Sequence, residues 1–177
     1  MEAQAFTIDQ PFQGAYEKCI EITRHLSAKA QGEETHSDIE AYLETEGREL
    51  LRLLLQEHVD QQGPGRVGEA VRGADGVVRS HKREHMERGY KSVFGAVRVA
   101  RTGYSQRGVC SLFPRDAQLH LPLPSYSHRL QKRVAAQAAK MSFESVADEM
   151  AAATGVGIGP RQIEEMVYAA AQDFDAL

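Results

Sequence analysis

Side chains that can hydrogen-bond to the edges of DNA bases follow Pro160, close to the end of the sequence. They are Arg161, Gln162, Glu165 and Tyr168, spaced as on the outer face of a helix. Arginine can bind guanine through two parallel hydrogen bonds, and glutamine can bind adenine in the same way. Because the N-terminus of a helix also attracts phosphate, this pattern favours contact with DNA at the start of that helix.

A second group of charged side chains lies in the middle of the sequence. Residues 66–107 contain 10 Lys and Arg against 4 Asp and Glu, although the whole chain has a net charge of −4. A row of cations can neutralise phosphates and release counterions, which gives binding that does not depend on base sequence. The residues expected to do this are Arg79, Lys82, Arg83, Arg88, Lys91, Arg98 and Arg101. A solvated basic sheet face without a partner is the alternative.

Motifs of catalytic sites are absent from the sequence. It has no Gly-rich phosphate loop, no nucleophile elbow and no Cys/His cluster. Cys19 and Cys110 are too few for a disulfide framework and are expected to be buried or inert thiols. His81 and His85 would lie roughly 13 Å apart on a strand, too far to share a metal. We therefore expect no catalytic residue, no metal site and no cofactor.

Two amphipathic helices are predicted in residues 1–65, which carry 13 Asp and Glu against 5 Lys and Arg. Apolar residues recur at three- and four-residue steps from Phe12 until Gly32, and again over residues 39–61. Ser37 and Glu40 have the spacing of a capping box at the start of the second helix. The expected arrangement is an antiparallel pair of helices with solvated acidic faces.

Apolar and polar residues alternate in residues 66–112, as is typical of strands. Asp75-Gly76 has the residue types of a tight turn, which predicts a short hairpin there. A longer hairpin is predicted around Gly95. Beyond it Val97 and Val99 alternate with Arg98, so we expect an antiparallel sheet with the valines on one face and a wet, basic opposite face.

Helices return in the last third of the chain. Prolines 114, 122 and 124 predict an extended connector over residues 113–126. Ser127 and Ser142 can cap the first two of three helices, and Gly155 can end the second. The three helices are expected near residues 127–140, 143–153 and 160–172.

Their lengths are typical of a trihelical helix-turn-helix, although an ordinary helical bundle would give the same pattern. The predicted fold class is therefore α+β. Its expected segments are an N-terminal helical pair, a small antiparallel sheet, a proline-containing connector and a helix-turn-helix domain, over residues 1–65, 66–112, 113–126 and 127–177.

Five stretches of sequence, in fixed order, carry a resemblance to a known family. They are residues 47–56, 75–81, 92–104, 121–122 with 126–128, and 153–175. The run from Phe94-Gly95 through Val97, Val99 and Arg101 is the most specific of them. Together they resemble the N-terminal, DNA-binding portion of insertion-sequence transposases of the ISKra type, a family of Asp-Asp-Glu recombinases.

The resemblance implies a part of a transposase that recognises DNA. Members of the family continue past a segment like Asp173-Phe174-Asp175 into a catalytic domain of ribonuclease-H type, and no residue here matches its metal-binding acids. Strand transfer by this chain alone is therefore not expected. The implied function is non-catalytic binding to the terminal repeats of an insertion sequence, by a truncated or split transposase.

The expected partner is double-stranded DNA, together with a second copy of the chain or a separately encoded catalytic half. The sequence has neither an apolar run long enough for a membrane span nor a basic-then-apolar N-terminus. We expect a cytoplasmic, nucleoid-associated protein that does not contact membranes. The alternative function is a module for protein–protein interaction or oligomerisation that does not bind specific DNA.

Overall fold

The computed structural model describes residues 11–28 and 34–174, the last two of them by their backbone alone. The predicted break at Gly32 and the residue Asp175 therefore lie outside the described residues, as do the side chains of Asp173 and Phe174. The described residues form two compact units, which divide between Gln62 and Gly63. Helices and antiparallel strands share the chain, which confirms the predicted α+β class.

The first unit contains two packed helices, α1 (Gln13–Ala28) and α2 (His36–Gln61). The capping box of α2 is formed by Thr35 and Asp38, so the prediction of Ser37 with Glu40 is wrong. The Thr35 hydroxyl accepts from the Asp38 amide at 3.2 Å, and the Asp38 carboxylate accepts from the Thr35 amide at 3.0 Å and from its hydroxyl. The hydroxyl and amide of Thr35 lower the pKa of Asp38. These reciprocal bonds start the helix earlier than the competing pair would.

Contacts between α1 and α2 combine a small apolar core with polar links. Ile22 of α1 is buried, as is Val59 of α2. The Glu57 carboxylate accepts a hydrogen bond from the Ala15 amide at 3.2 Å and so caps the first turn of α1. The leucines at positions 43, 51 and 54 of α2 remain exposed.

The second unit begins with two antiparallel sheets. β1 (Val71–Arg72) pairs with β2 (Val78–Arg79), and β3 (His81–Ser92), β4 (Gly95–Gln106) and β5 (Val109–Leu112) follow in the order β3-β4-β5. The turn between β1 and β2 contains Asp75-Gly76, with Gly76 at φ 75°, as predicted. Its positive φ is the conformation that glycine adopts without strain.

The β3–β4 hairpin is buried on opposite faces at its two ends. Near its turn Val97 and Val99 are buried, as expected from their alternation with Arg98. Farther along β4 the buried residues are Thr102 and Tyr104, whose side chains project from the other face of the strand. The Tyr104 hydroxyl donates to the Gly68 carbonyl at 2.9 Å, so the chain before β1 covers this end of the sheet.

A bulge in β3 separates the two ends of the hairpin. Glu84 and His85 lie opposite the single residue Thr102, and His85 has a φ of 56°. An extra residue on one strand bends the strand and increases its twist. The change of buried face occurs at this bulge.

The prediction of one basic sheet face is wrong. In the register Arg88 lies opposite Val99, and Gly89 lies opposite Arg98. Residues directly opposite each other share a face, so Arg88 lies on the same face as the buried valines and Arg98 lies on the other. The cations of the sheet therefore project from both of its faces.

Four helices complete the second unit: α3 (Pro114–Gln118), α4 (His128–Ala138), α5 (Phe143–Thr154) and α6 (Pro160–Phe174). α3 lies where an extended connector was predicted; Pro114 occupies its first turn, where proline is compatible with a helix. Ser127 and Ser142 cap α4 and α5 as predicted. Within the parts of the chain that the structure describes, no helix combines the length and apolar character needed to cross a membrane.

Helices α4, α5 and α6 share one apolar core. Its buried members are Leu130, Val134, Val146, Met150, Val156, Ile158, Ile163 and Met166, with Val93 from the β3–β4 turn. The trihelical arrangement and the positions of its helices agree with the prediction. Because Val93 belongs to the same core, the hairpin and the helices pack as parts of one unit.

Candidate nucleic-acid interface

The exposed face of α6 contains three of the four residues predicted to contact bases. Ile163 and Met166 are buried, so the helix turns its other side to solvent. Arg161 has 84% of its side chain exposed, Glu165 63%, and Tyr168 is 69% exposed as a residue. Arg161 lies in the first turn, where the backbone N–H groups and the helix dipole favour negative charge.

Gln162, the fourth predicted base contact, is only half-exposed. Its amide oxygen lies 2.5 Å from the place where a Cβ on Gly159 would be, so the side chain folds back over the start of the helix. The absence of a side chain on Gly159 provides this space. Gln162 must rotate outward to reach a base.

Arg161 and Glu165 form a surface ion pair, with Nε and Oε1 3.2 Å apart. An exposed pair one helical turn apart contributes little to stability, so either member can exchange its partner for another hydrogen-bonding group. The pair holds the guanidinium along the outer face of α6. Burial raises the pKa of Tyr126, and the Glu165 carboxylate adds to that rise.

The turn between α5 and α6 is longer than a minimal turn but is firmly packed. Gly155 ends α5 at φ 67°, the left-handed conformation expected of a glycine C-cap. Val156 and Ile158 then insert into the apolar core, with Gly157 between them. Two buried anchors within five residues fix the direction in which α6 leaves the turn.

Lys91 of β3 reaches this turn from the hairpin. Its ammonium donates to the Gly157 carbonyl at 2.8 Å and lies 5.4 Å from the centre of the Tyr126 ring. The backbone of Lys91 also bonds to Ser125 and Ser127. Lys91 was predicted to bind phosphate; in the structure its ammonium contacts the turn that precedes α6.

Arg79 has a structural role in place of the predicted phosphate contact, because the residue is only 2% exposed. Its guanidinium donates to both carboxylate oxygens of Asp75, at 3.0 and 2.6 Å, and to the Cys110 carbonyl at 2.7 Å. These bonds join the β1–β2 turn to β5. A buried guanidinium with three such partners cannot reach DNA.

The Arg79–Asp75 pair predicts a loss of stability in acid. Hydrogen bonds from Arg79, then from the Val77 amide, lower the pKa of Asp75 from 3.8 to about 2. A carboxylate with a depressed folded-state pKa stabilises the fold above its unfolded value and loses that contribution as the pH falls. We expect stability to decrease between about pH 4 and pH 2 by a component that Asp75→Asn removes. Urea unfolding at each pH measures it; Asp148→Asn, at an exposed position on α5, is the control and should keep the full dependence.

Arg88 and Arg101 also bind inside the unit. Their guanidinium groups share Asp116 Oδ2, at 3.0 and 2.6 Å, and Arg101 stacks 3.8 Å from the centre of the Phe113 ring. Arg88 donates further to three carbonyls of the connector, those of residues 122, 123 and 124. Both arginines therefore hold the connector and α3 against the hairpin.

The remaining predicted sheet contacts are Lys82, Arg83 and Arg98. Lys82 forms ion pairs with Glu69 and Glu84, whereas Arg83 is exposed and Arg98 has 79% of its side chain exposed. Arg98 pairs with Glu87 at 3.9 Å. Six of the seven predicted cations, all except Arg83, thus have partners within the described part of the unit. The prediction that the seven form one exposed row is wrong.

Sequence reasoning missed four cations of the helical part. Arg129, Lys132, Arg133 and Lys140 are exposed on α4 and just beyond its end. The net charge of residues 108–177 is −2, and this average concealed them. The charge of α4 taken alone could have revealed them, because this helix contains no Asp or Glu.

The cysteines and histidines form no reactive cluster among the residues described. Cys19 and Cys110 are both exposed, so the expectation of buried thiols is wrong. His81 and His85 lie on β3 on either side of Arg83. In residues 11–28 and 34–174, no three His, Cys, Asp or Glu side chains are grouped so that they could hold a metal.

Comparison with known proteins adds no family to this description. No protein-family model matches the chain, and no curated protein is significantly similar to it. The resemblance to ISKra-type transposases therefore stays a prediction from sequence. What the interface binds has to be inferred from the side chains of α6 and from the elements that hold them.

Proposed function

We propose that the chain is a DNA-binding module whose helix α6 enters the major groove and contacts base edges. The observation that carries this proposal is the exposed face of α6, with Arg161 in its first turn and with its direction fixed by the buried turn before it. The resemblance to ISKra-type transposases favours the terminal repeats of an insertion sequence as the binding site.

The dimensions and residue types of α6 suit this role. An α-helix with its side chains is about 10–12 Å wide, and the major groove is about 12 Å wide. Arg161 can bind guanine through two hydrogen bonds, Gln162 can bind adenine after rotating outward, and Glu165 can accept from cytosine. Tyr168, one turn farther on, can donate to a phosphate oxygen.

The Arg161–Glu165 pair supports base reading over simple phosphate binding. Glu164 and Glu165 are both exposed on α6, and their charges repel phosphates. A helix that only held the DNA backbone would gain affinity without them. Carboxylates next to an arginine restrict which base the guanidinium can meet, and such restriction contributes to specificity.

Lys91 and the β3–β4 hairpin support the same role indirectly. Base readout requires side chains to be placed accurately, and sites on rigid elements achieve this better than sites on loops. The hairpin fixes the α5–α6 turn through the Gly157 carbonyl and through Val93 in the shared core. We therefore assign these sheet residues to positioning.

Arg161→Ala and Gln162→Ala are each expected to weaken binding to the preferred duplex by about 1–3 kcal/mol, or about 5- to 150-fold. Binding to a shuffled duplex should change much less, because phosphate contacts do not depend on sequence. Fluorescence anisotropy with a duplex selected from a random library, and with its shuffled version, measures both effects. Gln172→Ala, the same truncation at an exposed position on α6, is the matched control.

Two outcomes would contradict the proposal. If the unmodified chain binds the selected and shuffled duplexes equally, α6 does not read sequence. If light scattering shows a stable oligomer that is indifferent to duplex DNA, the chain is an interaction module. The exposed leucines at positions 43, 51 and 54 of α2 would then be the first residues to substitute.

A further inference from the structure

We propose that the exposed face of α4 is a second nucleic-acid surface, which binds the phosphate backbone without reading its sequence. Its cations are Arg129, Lys132, Arg133 and Lys140, which we call the α4 basic face. None of them was expected to bind DNA from the sequence. The choice of DNA as the partner rests on the proposed function, whereas the location of the surface does not.

The helical spacing places three of these cations on one side of α4, and Lys140 follows just beyond its end. Residues three and four apart are neighbours on a helix surface, which groups Arg129, Lys132 and Arg133. Leu130 and Val134 are fully buried and lie on the inner side. Arg129, Lys132 and Arg133 line a shallow surface depression together with Ala136. The three cations thus surround a shallow, open area that a nucleic-acid backbone can approach.

Within the described part of the chain, none of the four cations of the α4 basic face forms an ion pair with a carboxylate. Glu149 lines a depression with Arg133 and Lys140, but its carboxylate accepts a hydrogen bond from the Gln137 amide at 2.5 Å. In the sheet, by contrast, Lys82, Arg88 and Arg101 all form ion pairs. Like charges one turn apart repel each other on a helix, so an external anion would relieve a repulsion that the fold leaves in place.

The shape of the face favours a nucleic-acid backbone over an acidic protein. From Arg129 to its end at Ala138, α4 extends for about 14 Å, a distance over which several phosphates of one strand are available. Between the cations the exposed residues are small, at Ala136 and Ala139. Large Trp and Tyr anchors are enriched at protein interfaces, and α4 contains no Phe, Tyr or Trp.

The test compares two triple variants of the full chain that change net charge equally. Arg129→Gln/Lys132→Gln/Arg133→Gln removes three cations of the α4 basic face. The control, Arg24→Gln/Arg72→Gln/Arg107→Gln, removes three exposed cations elsewhere. Affinity for a shuffled duplex is measured over a range of salt concentrations, and circular dichroism checks that both variants stay folded.

The α4 variant is expected to bind the shuffled duplex at least 10-fold more weakly at low salt. Each phosphate contact contributes about 0.9 to the slope of log affinity against log salt, so the slope should decrease by about 3 in magnitude. The ratio of affinities for the selected and shuffled duplexes should stay unchanged. A slope equal to that of the control would overturn the inference.

The outcomes separate this inference from the proposed function. If Arg161→Ala abolishes sequence preference while the α4 variant keeps its slope, the proposed function holds and the inference fails. If instead the salt dependence of the α4 variant becomes weaker while the unmodified chain shows no sequence preference, the inference holds and the proposed function fails. Competition by polyglutamate at equal charge concentration, as strong as that by duplex, would assign the face to an acidic protein and overturn the inference.

Discussion

Replacing Asp116 with alanine is expected to lower the free energy of unfolding of the second unit by about 3 kcal/mol. Asp116 Oδ2 accepts from both Arg88 and Arg101, and the three side chains are only 19%, 11% and 17% exposed. Removing the shared carboxylate leaves two guanidinium groups largely buried without their anion, a change that costs about 3–5 kcal/mol when burial is complete. We expect the lower end of this cost because some solvent reaches the two guanidinium groups.

Urea unfolding of the full chain measures this loss, and Asp148→Ala on the exposed side of α5 is the control. A triple variant, Asp116→Ala with Arg88→Met and Arg101→Met, should recover part of the lost stability, because it leaves neither cation unpaired. A destabilisation by Asp116→Ala no greater than that of the control would show that the shared carboxylate does not hold the connector.

Replacing Ile163 with alanine is expected to cost about 2–5 kcal/mol and to abolish binding to the selected duplex. Ile163 is completely buried in the core shared by α4, α5 and α6. Its removal leaves a cavity under the first turns of α6, so the helix loses both stability and direction. The loss of binding follows from the misplacement of Arg161 and Gln162.

Thermal unfolding and anisotropy on the same samples test both parts. Ile163→Val should cost only about 0.5–1.5 kcal/mol and retain binding. Tyr168→Ala, on the exposed side of the same helix, should leave stability nearly unchanged. Stability that falls in Ile163→Ala while the folded fraction binds as tightly as the unmodified chain would show that α6 is not the part that meets DNA.

The positions of the C-terminal helices could be predicted because their end signals are local. Ser127 and Ser142 each accept a hydrogen bond from an amide three residues away, and Gly155 adopts the conformation that ends α5. These interactions depend on a few neighbouring residues, so the sequence is enough to indicate them. Where two local signals overlapped, at Thr35 and Ser37, the pattern could not choose between them.

The roles of the sheet cations could not be predicted because they depend on distant partners. Arg88 binds a carboxylate 28 residues away, and Lys91 binds a carbonyl 66 residues away. A count of charges along the chain contains no information about such pairs. The bulge at His85 added a second difficulty, since alternation alone would keep one face buried along the whole of β4.

Part of the interface follows from helix periodicity and part does not. The burial of Ile163 and Met166 makes the exposure of Arg161, Glu165 and Tyr168 predictable. The folding of Gln162 over Gly159 and the buried anchors of the turn depend on tertiary packing. Periodicity also indicates the α4 basic face, once α4 is considered apart from its acidic neighbours.

The most direct test is to map amide chemical shifts of the full chain while duplex DNA is added. The account predicts that the largest changes occur in the first two turns of α6, from Arg161 to Tyr168, with a second group on the outer side of α4. The β1–β2 turn around Arg79 should be unaffected. Changes confined to α1 and α2, or none at saturating duplex, would contradict the claim that α6 is presented to DNA.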